Sequence, residues 1–571
     1  MSLPTKIEKL LSCQIGRNVA QLTRLASTYN PPQLNDFQVK NESFLGYLRG
    51  SKERIALDES LKRLSREMLE VPIVINGKEY RSDQSRLQQA PFDHSLKVAK
   101  YYWATPNMIR EAIQTCNDRR EEWERAPLSE KINIFMRAAD LVSGKYRSDM
   151  LASTMLGQGK TIFQAEIDAA AELADFLRFN AFFAKELYKY QPISDQPNVV
   201  RNSMRHRGIE GFIAAISPFN FTAIGGNLAS APALMGNVVI WKPSDTAILS
   251  NYIVYKIFHE AGMPPGVINF VPCDGPIFGD IITADPSLAG INFTGSVNTF
   301  RFLWSKTAQN LDTYRNYPRL SGECGGKNYH FVHPSADTMN VAVNTVRSAF
   351  EYSGQKCSAC SRLYVPKSKW PEIKDKISSI CDQLKIGSPL DHQTFTSAVI
   401  DGKAFNRIRS YLDHASSSKN CEIIRGGQVD ESIGFYVQPT IIQVHDPNDR
   451  LMKEEIFGPI LSVYVYPDSE VKETLKLVQS IDYALTGAIF GQDANFLREA
   501  TEMMKMSAGN FYINDKSTGA VVGQQPFGGA RLSGTNDKPG GPHNLLRWTS
   551  PQTIKESFVN QTEWRYPYMM E

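Results

Sequence analysis

The fold is decided by four short apolar runs: GFIAAI at 211–216, VVIWK at 238–242, VINFV at 267–271 and GINFT at 290–294. Each is rich in the β-branched and aromatic residues that favour a buried strand. Helix-prone segments separate them at Gly226–Met235, Ala247–Ala261 and Pro276–Thr283. This alternation predicts a doubly wound α/β unit around a parallel sheet, with a ligand crevice at the carboxyl ends of the strands.

A second series of the same kind runs from Tyr329 to Asn514. Its strand-like runs are Ser361–Pro366, Thr440–His445, Ile460–Tyr466, Thr486–Phe490 and Asn510–Asn514. Before the first series, residues 51–70 and 105–186 have helical character, and Val71–Ile75 is a short strand-like run. The fold class is therefore predicted to be α/β, with two doubly wound units in tandem and a cleft between them.

Residues 1–28 differ from the rest of the chain. Lys6, Lys9, Arg17 and Arg24 are opposed there only by Glu8. A basic, acid-poor and amphipathic start is typical of a mitochondrial transit peptide, and a plain basic terminus is the alternative. We expect these residues to direct the chain to the mitochondrial matrix.

Composition excludes several classes of function. The 571 residues carry 63 basic and 60 acidic side chains, and a net charge of +3 does not favour nucleic acid or an acidic membrane as a partner. The charge-free run Gly211–Trp241 is interrupted by Pro218 and Pro232, so no membrane span is expected. Eight scattered cysteines do not suggest a disulfide framework. Cys357 and Cys360 form one C-x-x-C pair, which alone is weak evidence for zinc or redox chemistry, and no metal is expected.

Three residues are candidates for catalysis. Cys357 follows Gly354-Gln355-Lys356, and Lys356 would lower the thiol pKa if its ammonium pointed toward the sulfur. Glu323 is flanked by glycines at the start of a strand-like run, and we expect mobile backbone to place it as a general base. Asn220 follows the strand 211–216, where its amide could donate to an oxyanion. Taken singly, a buried thiol, a surface ion pair and a turn residue are equally ordinary interpretations.

Two strand ends carry candidate nucleotide contacts. Gly295 and Ser296 open a helix whose free amides could hold a phosphate. Lys242 and Asp245 follow another strand and could reach ribose hydroxyls. The sequence contains no complete G-x-G-x-x-G fingerprint.

Together these features resemble the aldehyde dehydrogenase superfamily, whose motifs occur here in the family's order. They are Ser217-Pro218-Phe219-Asn220, Lys242, Ala261–Asn269, Phe293–Ser296, Glu323–Asn328, Gly354–Cys357, Glu455–Pro459 and Pro526–Gly529. Further stretches are similar to the glutamate-semialdehyde (Δ1-pyrroline-5-carboxylate) dehydrogenase branch: Glu166–Leu173, Gly225–Leu228 and Gln524–Trp548.

The resemblance implies roles for the catalytic residues. Cys357 would attack the aldehyde, Asn220 and the Cys357 N–H would hold the alkoxide, and hydride transfer to NAD would leave a thioester. Glu323 would then activate water for hydrolysis. Implied cofactor contacts are Ser217, Lys242, Gly295, Ser296, Val297, Asn298, Thr299, Glu455 and Phe457. Asp245 would repel a 2′-phosphate and so favour NAD over NADP.

The branch implies a substrate and a site for it. L-Glutamate γ-semialdehyde, formed from Δ1-pyrroline-5-carboxylate, would be oxidised to L-glutamate in proline degradation. Phe221 and Phe527 would flank its chain, while Ser358 and the amides of Gly519 and Ala520 would grip its carboxylate. Some relatives carry serine at position 520, and alanine removes that hydroxyl. Glu172 and Lys356 resemble an acid–base pair near the nucleophile.

The same resemblance divides the chain. Residues 29–189 and 208–320 would form the NAD-binding domain and 321–548 the catalytic domain. The stretches 190–207 and 549–571 fit neither series, and strand character at Asn198–Met204 and Thr553–Val559 predicts an arm that pairs elsewhere. In this family such an arm implies a homodimer.

Three other functions stay open on sequence grounds. One is another semialdehyde dehydrogenase of the same superfamily, of the methylmalonate or succinate type. A second is an amidase built on a Cys-Glu-Lys set, although the strand-end motifs at Lys242 and Gly295 argue against it. The third is a non-catalytic structural relative, against which intact Cys357, Glu323 and Asn220 argue.

Overall fold

A computed structural model describes residues 29–34 and 36–571. The predicted transit peptide at 1–28 lies outside the described residues. Within the described part of the chain, no helix is both long and apolar enough to cross a membrane.

The described elements alternate between strands and helices over most of the chain. In chain order the strands are β1 (Leu69–Val71), β2 (Ile73–Ile75), β3 (Lys78–Tyr80), β4 (Ser85–Ala90), β5 (Asp93–Tyr102), β6 (Val200–Arg207), β7 (Phe212–Ile216), β8 (Val238–Lys242), β9 (Ile268–Phe270), β10 (Leu288–Thr294), β11 (Arg319–Glu323), β12 (Tyr329–Val332), β13 (Arg362–Pro366), β14 (Cys421–Arg425), β15 (Val429–Asp430), β16 (Tyr436–Val437), β17 (Thr440–Val444), β18 (Ile460–Tyr466), β19 (Tyr483–Ala484), β20 (Thr486–Phe490), β21 (Asn510–Ile513), β22 (Ala530–Arg531) and β23 (Ser550–Ser557). The α-helices are α1 (Lys52–Arg66), α2 (Pro106–Arg125), α3 (Leu128–Ser143), α4 (Arg147–Gln158), α5 (Ile162–Ala165), α6 (Leu173–Leu187), α7 (Thr222–Leu234), α8 (Ile248–Glu260), α9 (Gly275–Ala284), α10 (Val297–Gln309), α11 (Thr338–Phe350), α12 (Trp370–Asp382), α13 (Gly402–Ser417), α14 (Arg450–Lys453), α15 (Val471–Gln479), α16 (Ala494–Met503) and α17 (Pro542–Arg547).

Several helices begin at a residue whose side chain caps the first turn. The hydroxyl or carboxylate of the residue before the helix accepts a hydrogen bond from a first-turn N–H, as expected for these residue types. Such caps are Ser51, Thr105, Asp274, Ser296, Asp337, Asp401 and Asp493. A π-helical segment, Glu166–Glu172, joins α5 to α6.

The first series forms a seven-stranded sheet in the order β11-β10-β7-β8-β9-β2-β3. Strands β11 to β9 are parallel, and only the pairs β9–β2 and β2–β3 are antiparallel, which confirms the predicted doubly wound unit. Strand β11 belongs to this sheet and runs through residue 320, so the sheet extends past the predicted domain boundary to Glu323.

The second series forms another seven-stranded sheet, in the order β14-β17-β18-β13-β12-β20-β21. All its pairs are parallel except β14 with β17. Two doubly wound sheets therefore follow one another along the chain, as predicted. The carboxyl ends of their parallel strands supply the residues of the site below.

Smaller sheets complete the fold. The predicted strand at 71–75 is divided at Pro72, so that β1 joins β5 and β4 while β2 joins the first large sheet. Proline has no N–H for a sheet ladder, which explains the break. Strands β6 and β23 pair antiparallel with each other over eight residue pairs, from Arg207 with Ser550 to Val200 with Ser557. The predicted arm is thus a two-stranded ribbon.

The close backbone approach at the start of β7 allows the packing of the first sheet to be tested. Gly211 has φ +106°, and a Cβ there would lie 1.9 Å from the carbonyl oxygen of Ser287, which accepts the Phe212 N–H at 3.0 Å. Gly211→Ala should therefore lower the free energy of unfolding by about 2 kcal/mol or more, from backbone strain and a lost strand contact. Gly275→Ala is the control, because a Cβ there meets only Lys242 Cε at 4.0 Å. Equal urea midpoints for the two variants would contradict this.

Candidate active site

The nucleophile candidate lies directly after a strained turn. Tyr352 and Ser353 have φ of 51° and 52°, values that residues with a Cβ rarely adopt. The turn leads from α11 into the loop that carries Cys357. Such strain is concentrated at functional sites, because only a surrounding structure that holds the turn can maintain it.

Cys357 is partly exposed and lines a cavity of about 310 Å³. Its carbonyl accepts a hydrogen bond from Asn328 Nδ2 at 2.6 Å. Burial raises the pKa of the thiol, and the nearby carboxyls of Glu323, Glu455 and Glu172 raise it further. The Cys357 thiol is therefore protonated at neutral pH in the free protein.

Lys356 does not lower the pKa of that thiol. Its Nζ pairs at 2.8 Å with Glu351 Oε2, and both side chains are buried. The expected Glu172–Lys356 pair is therefore wrong, because the lysine is held by Glu351. Burial raises the pKa of Glu172 to about 8.

Glu323 faces the same cavity as Cys357. It ends β11 instead of starting a strand, and its backbone carbonyl accepts the Gly295 N–H at 3.0 Å. Strand pairing, and not mobile backbone as expected, therefore places it. Its Oε1 is buried and makes no hydrogen bond to any described residue. Burial raises the pKa of the carboxyl to about 8, so it takes up and releases a proton near neutral pH.

Asn220 lies beside the nucleophile loop. Its Nδ2 donates to the Gln355 carbonyl at 3.1 Å, two residues before Cys357. Parallel pairing explains this proximity: Ile216 pairs with Phe293, and Thr294 pairs with Glu323. The ends of β7, β10 and β11 therefore meet at one edge of the sheet, which brings Asn220 and Glu323 to the cleft.

The residues predicted to hold the substrate surround this cavity. Its walls include Phe221, Ser358, Gly519, Ala520 and Phe527, together with Cys357 and Glu323. The Ser358 carbonyl accepts hydrogen bonds from the hydroxyls of Thr486 and Ser517, at 3.3 and 3.2 Å. The second sheet thus fixes one end of the cavity.

The predicted phosphate contacts lie at the start of α10. Ser296 caps this helix by accepting the Thr299 N–H at 3.2 Å, and its hydroxyl also bonds to that of Thr299 at 2.8 Å. Gly295 and Val297 are partly exposed, and Ser296, Asn298 and Thr299 are exposed. The buried hydroxyl of Thr294 has no hydrogen-bond partner among the described residues. A solvent-facing helix start after a strand fits a phosphate group.

Two other predicted cofactor residues end neighbouring strands. Lys242 ends β8, and its Nζ donates to the Pro243 carbonyl at 3.2 Å. Ser217 follows β7, and its Oγ accepts the Trp241 indole N–H at 2.6 Å. Asp245 is less open than the sequence suggests, because Trp103 Nε1 donates to its Oδ1 at 3.1 Å and burial raises its pKa. One oxygen of the Asp245 carboxyl is therefore already hydrogen-bonded within the protein.

Glu455 and Phe457 reach this region from the second unit. Glu455 Oε1 accepts the Gly326 N–H at 3.0 Å. A Cβ on Gly325 would lie 1.6 Å from the same oxygen, so only glycine permits this approach. Burial raises the pKa of Glu455 to about 7. The ring of Phe457 packs edge-on against Phe219, with centroids 5.8 Å apart.

A model of the aldehyde dehydrogenase family matches residues 81–554 of the chain. The chain belongs to the aldehyde dehydrogenase family. This aldehyde dehydrogenase is 59% identical to the mitochondrial Δ1-pyrroline-5-carboxylate dehydrogenase of Bos taurus, over 94% of this chain and 95% of the relative. It is 50% identical to the enzyme of that name from Dictyostelium discoideum, over 93% and 96%.

Solved structures of the family agree with the fold. The Δ-pyrroline-5-carboxylate dehydrogenase of Mycobacterium tuberculosis bound with NAD superposes with a TM-score of 0.90 at 42% identity, over 94% of this chain and 99% of that one. The 1-pyrroline-5-carboxylate dehydrogenase from Thermus with bound NAD gives 0.85 at 29% identity, over 92% and 100%. The predicted superfamily and its α/β fold are confirmed.

Sequence reasoning missed the rim of the cavity in this aldehyde dehydrogenase. The rim residues Phe44, Phe163, Arg347 and Lys516 come from distant parts of the chain, and Glu351 is a buried residue of the cavity lining. Phe44 and Phe163 meet edge-on with centroids 6.5 Å apart, and both rings are about half exposed. Only Lys516 gave a signal, since it lies three residues before Gly519.

The raised pKa of the Cys357 thiol can be tested through its reactivity. Only the thiolate reacts with iodoacetamide, so the alkylation rate of Cys357 should rise about tenfold per pH unit from pH 7 to 9, without a plateau. Peptide mapping by mass spectrometry follows the site, and Cys357→Ala identifies the background from other thiols. A rate already at its maximum at pH 7 would show that the thiol is ionised in the free protein.

Proposed function

We propose that this chain oxidises L-glutamate γ-semialdehyde, formed from Δ1-pyrroline-5-carboxylate, to L-glutamate, with NAD as the cofactor. One observation carries the proposal: Cys357, Glu323 and the expected carboxylate-binding residues line a single cavity. The relatives' names support the substrate, since seven of them, at 47–59% identity, are called Δ1-pyrroline-5-carboxylate dehydrogenases and an eighth, at 46%, is called a probable one.

The first sheet is proposed to bind NAD and the second to carry the nucleophile. The start of α10, from Gly295 to Thr299, would hold the phosphates, and Lys242 would bind a ribose. Glu455 would accept hydrogen bonds from the second ribose, since its pKa of about 7 leaves it half ionised at neutral pH. Two solved relatives contain NAD, which supports this arrangement. When bound, NAD accepts a hydride from the carbon attached to Cys357.

The chain's own groups perform the remaining steps. Cys357 releases its proton to solvent and attacks the aldehyde carbon as a thiolate. The alkoxide forms beside the Asn220 amide and the Cys357 N–H, which donate to it. After oxidation the carbon is held as a thioester. Glu323 then removes a proton from water, and the attack of that water releases the acid.

The substrate is proposed to lie along the cavity. Phe221 and Phe527 would contact the carbon chain. Ser358 and the backbone amides of Gly519 and Ala520 would bind the carboxylate at the far end, and Ala520 offers only its N–H. Charge-assisted hydrogen bonds in a dry site are worth about 1.5–3 kcal/mol each, enough to select a carboxylated aldehyde.

We further propose a homodimer in the mitochondrial matrix. The β6–β23 ribbon pairs with no other described strand, and the exposed side chains of the ribbon lie on β23, so the outer edge of β23 is available to a second copy. Residues 1–28 are proposed as the transit peptide. The relatives' names include the word mitochondrial, which supports the organelle.

The deacylation step gives a test of Glu323. A carboxyl with a pKa of about 8 is mostly protonated below pH 7 and gains its charge as the pH rises, so steady-state turnover should rise with a midpoint near pH 8 and level above about pH 9. Glu323→Gln should keep a rapid burst of about one NADH per site and slow later turnovers at least about 100-fold. Glu260→Gln, at a surface ion pair with Lys145, is the control. Normal steady-state turnover in Glu323→Gln would exclude this residue as the base.

The carboxylate site gives a second test. Ser358→Ala should raise the KM for glutamate semialdehyde about tenfold and change that for pentanal little, because one charge-assisted hydrogen bond is lost. Ser361→Ala is the matched control, since Ser361 lies in the same loop but does not line the cavity. Ala520→Ser should lower the KM or leave it unchanged. If wild type uses pentanal as efficiently as the semialdehyde, the substrate proposal fails although the dehydrogenase activity stands.

A further inference from the structure

A buried lysine lies behind the wall of the aldehyde cavity. Lys160, in the loop between α4 and α5, is 1% exposed, and its Nζ pairs with Asp168 Oδ2 at 2.8 Å. Asp168 is fully buried, and neither residue lines the cavity. Because desolvation offsets most of the attraction in a buried ion pair, stability alone is a weak explanation for this one.

Asp168 fixes the backbone that follows the proposed oxyanion donor. It lies in the π-helical segment Glu166–Glu172, and its carboxylate accepts the Thr222 N–H at 2.9 Å and the Ala223 N–H at 2.8 Å. These amides open α7 and come directly after Asn220 and Phe221. The buried carboxylate therefore receives two backbone donors and one ammonium.

Lys160 contacts two aromatic rings, one beside Asn220 and the other in the turn that precedes Cys357. Its Nζ lies 3.9 Å from the ring centroid of Phe221 and 4.8 Å from that of Tyr352. Phe221 lines the cavity, and Tyr352 belongs to the left-handed turn before Cys357. Gln158 connects the same two elements, since its Nε2 donates to the Phe219 carbonyl and its carbonyl accepts the Tyr352 hydroxyl.

A cation behind an aromatic ring has two consequences. It fixes the ring orientation, because the ammonium is attracted to the π face over a short range. It also draws electron density toward that face, which makes the opposite face less repulsive to a negatively charged chain. Both effects act on the substrate through Phe221, without contact between Lys160 and the substrate.

We propose that Lys160, held by Asp168, is a positioning residue that fixes Phe221 as the wall for the aldehyde chain and so favours carboxylated aldehydes. This rests on the proposed function, because it requires Phe221 to contact the substrate. Lys160→Met should lower kcat/KM for the semialdehyde about tenfold, mainly through KM, and leave the KM for NAD unchanged. Lys160→Arg should recover most of the loss, because it restores the charge.

A double-mutant cycle separates positioning from general damage. In a Phe221→Leu background, Lys160→Met should cost less than about twofold, since the ring on which the cation acts is gone. Lys131→Met is the matched control: Lys131 is 5% exposed, and its Nζ lies 5.3 Å from the Trp123 ring, away from the cavity. Its kcat/KM should stay at the wild-type value.

Several results would overturn the proposal. One is a kcat/KM within twofold of wild type for Lys160→Met, and another is the same loss in the Phe221→Leu background. If the single variant does not fold, Lys160→Met/Asp168→Asn buries no unpaired charge and takes its place, with the same expected loss. A folded double variant with wild-type KM would equally contradict the proposal. Should wild type prefer another aldehyde, the proposed substrate fails, and the cycle measured with that aldehyde still tests Lys160.

Discussion

Burying a carboxyl with one oxygen that makes no hydrogen bond costs free energy. The fold places Glu323 in this condition, because its Oε1 is buried and has no hydrogen-bond partner among the described residues. Its strand pairs with β10, its carbonyl is hydrogen-bonded to the Gly295 N–H, and the residue lines the cavity that Cys357 also lines. Burial raises the pKa values of the carboxyl and the thiol together. The site therefore holds both groups uncharged at neutral pH, and each can exchange its proton when substrate chemistry requires it.

The meeting of strand ends makes such a site possible. Parallel pairing in the first sheet aligns the ends of β7, β10 and β11, and so brings Asn220 and Glu323 to one edge. The second unit supplies Cys357 on a strained turn and Glu455 on the glycine pair 325–326. The proposed nucleophile Cys357 and the proposed base Glu323 therefore come from different units. The reaction depends on the contact between the two.

Much of this was predictable from sequence, because local patterns determine it. Apolar runs with helices between them predicted both sheets, and the motifs around Asn220, Glu323 and Cys357 predicted which loops meet. The predictions that were wrong or missing concern features that depend on contacts between distant residues or on exact geometry. Lys356 pairs with Glu351 because the left-handed turn at 352–353 folds the chain back, which no periodicity indicates. Phe44 and Phe163 reach the rim from segments without any motif.

The central claim is that oxidation takes place on carbon attached to Cys357. Intact-protein mass spectrometry after rapid acid quench tests it most directly, with wild-type enzyme mixed with NAD and glutamate semialdehyde for a single turnover. We expect a transient adduct with the mass of glutamate less water, on the peptide that contains Cys357, and only when NAD is present. NADH formation without any such adduct, or the adduct on another residue such as Cys360, would contradict it.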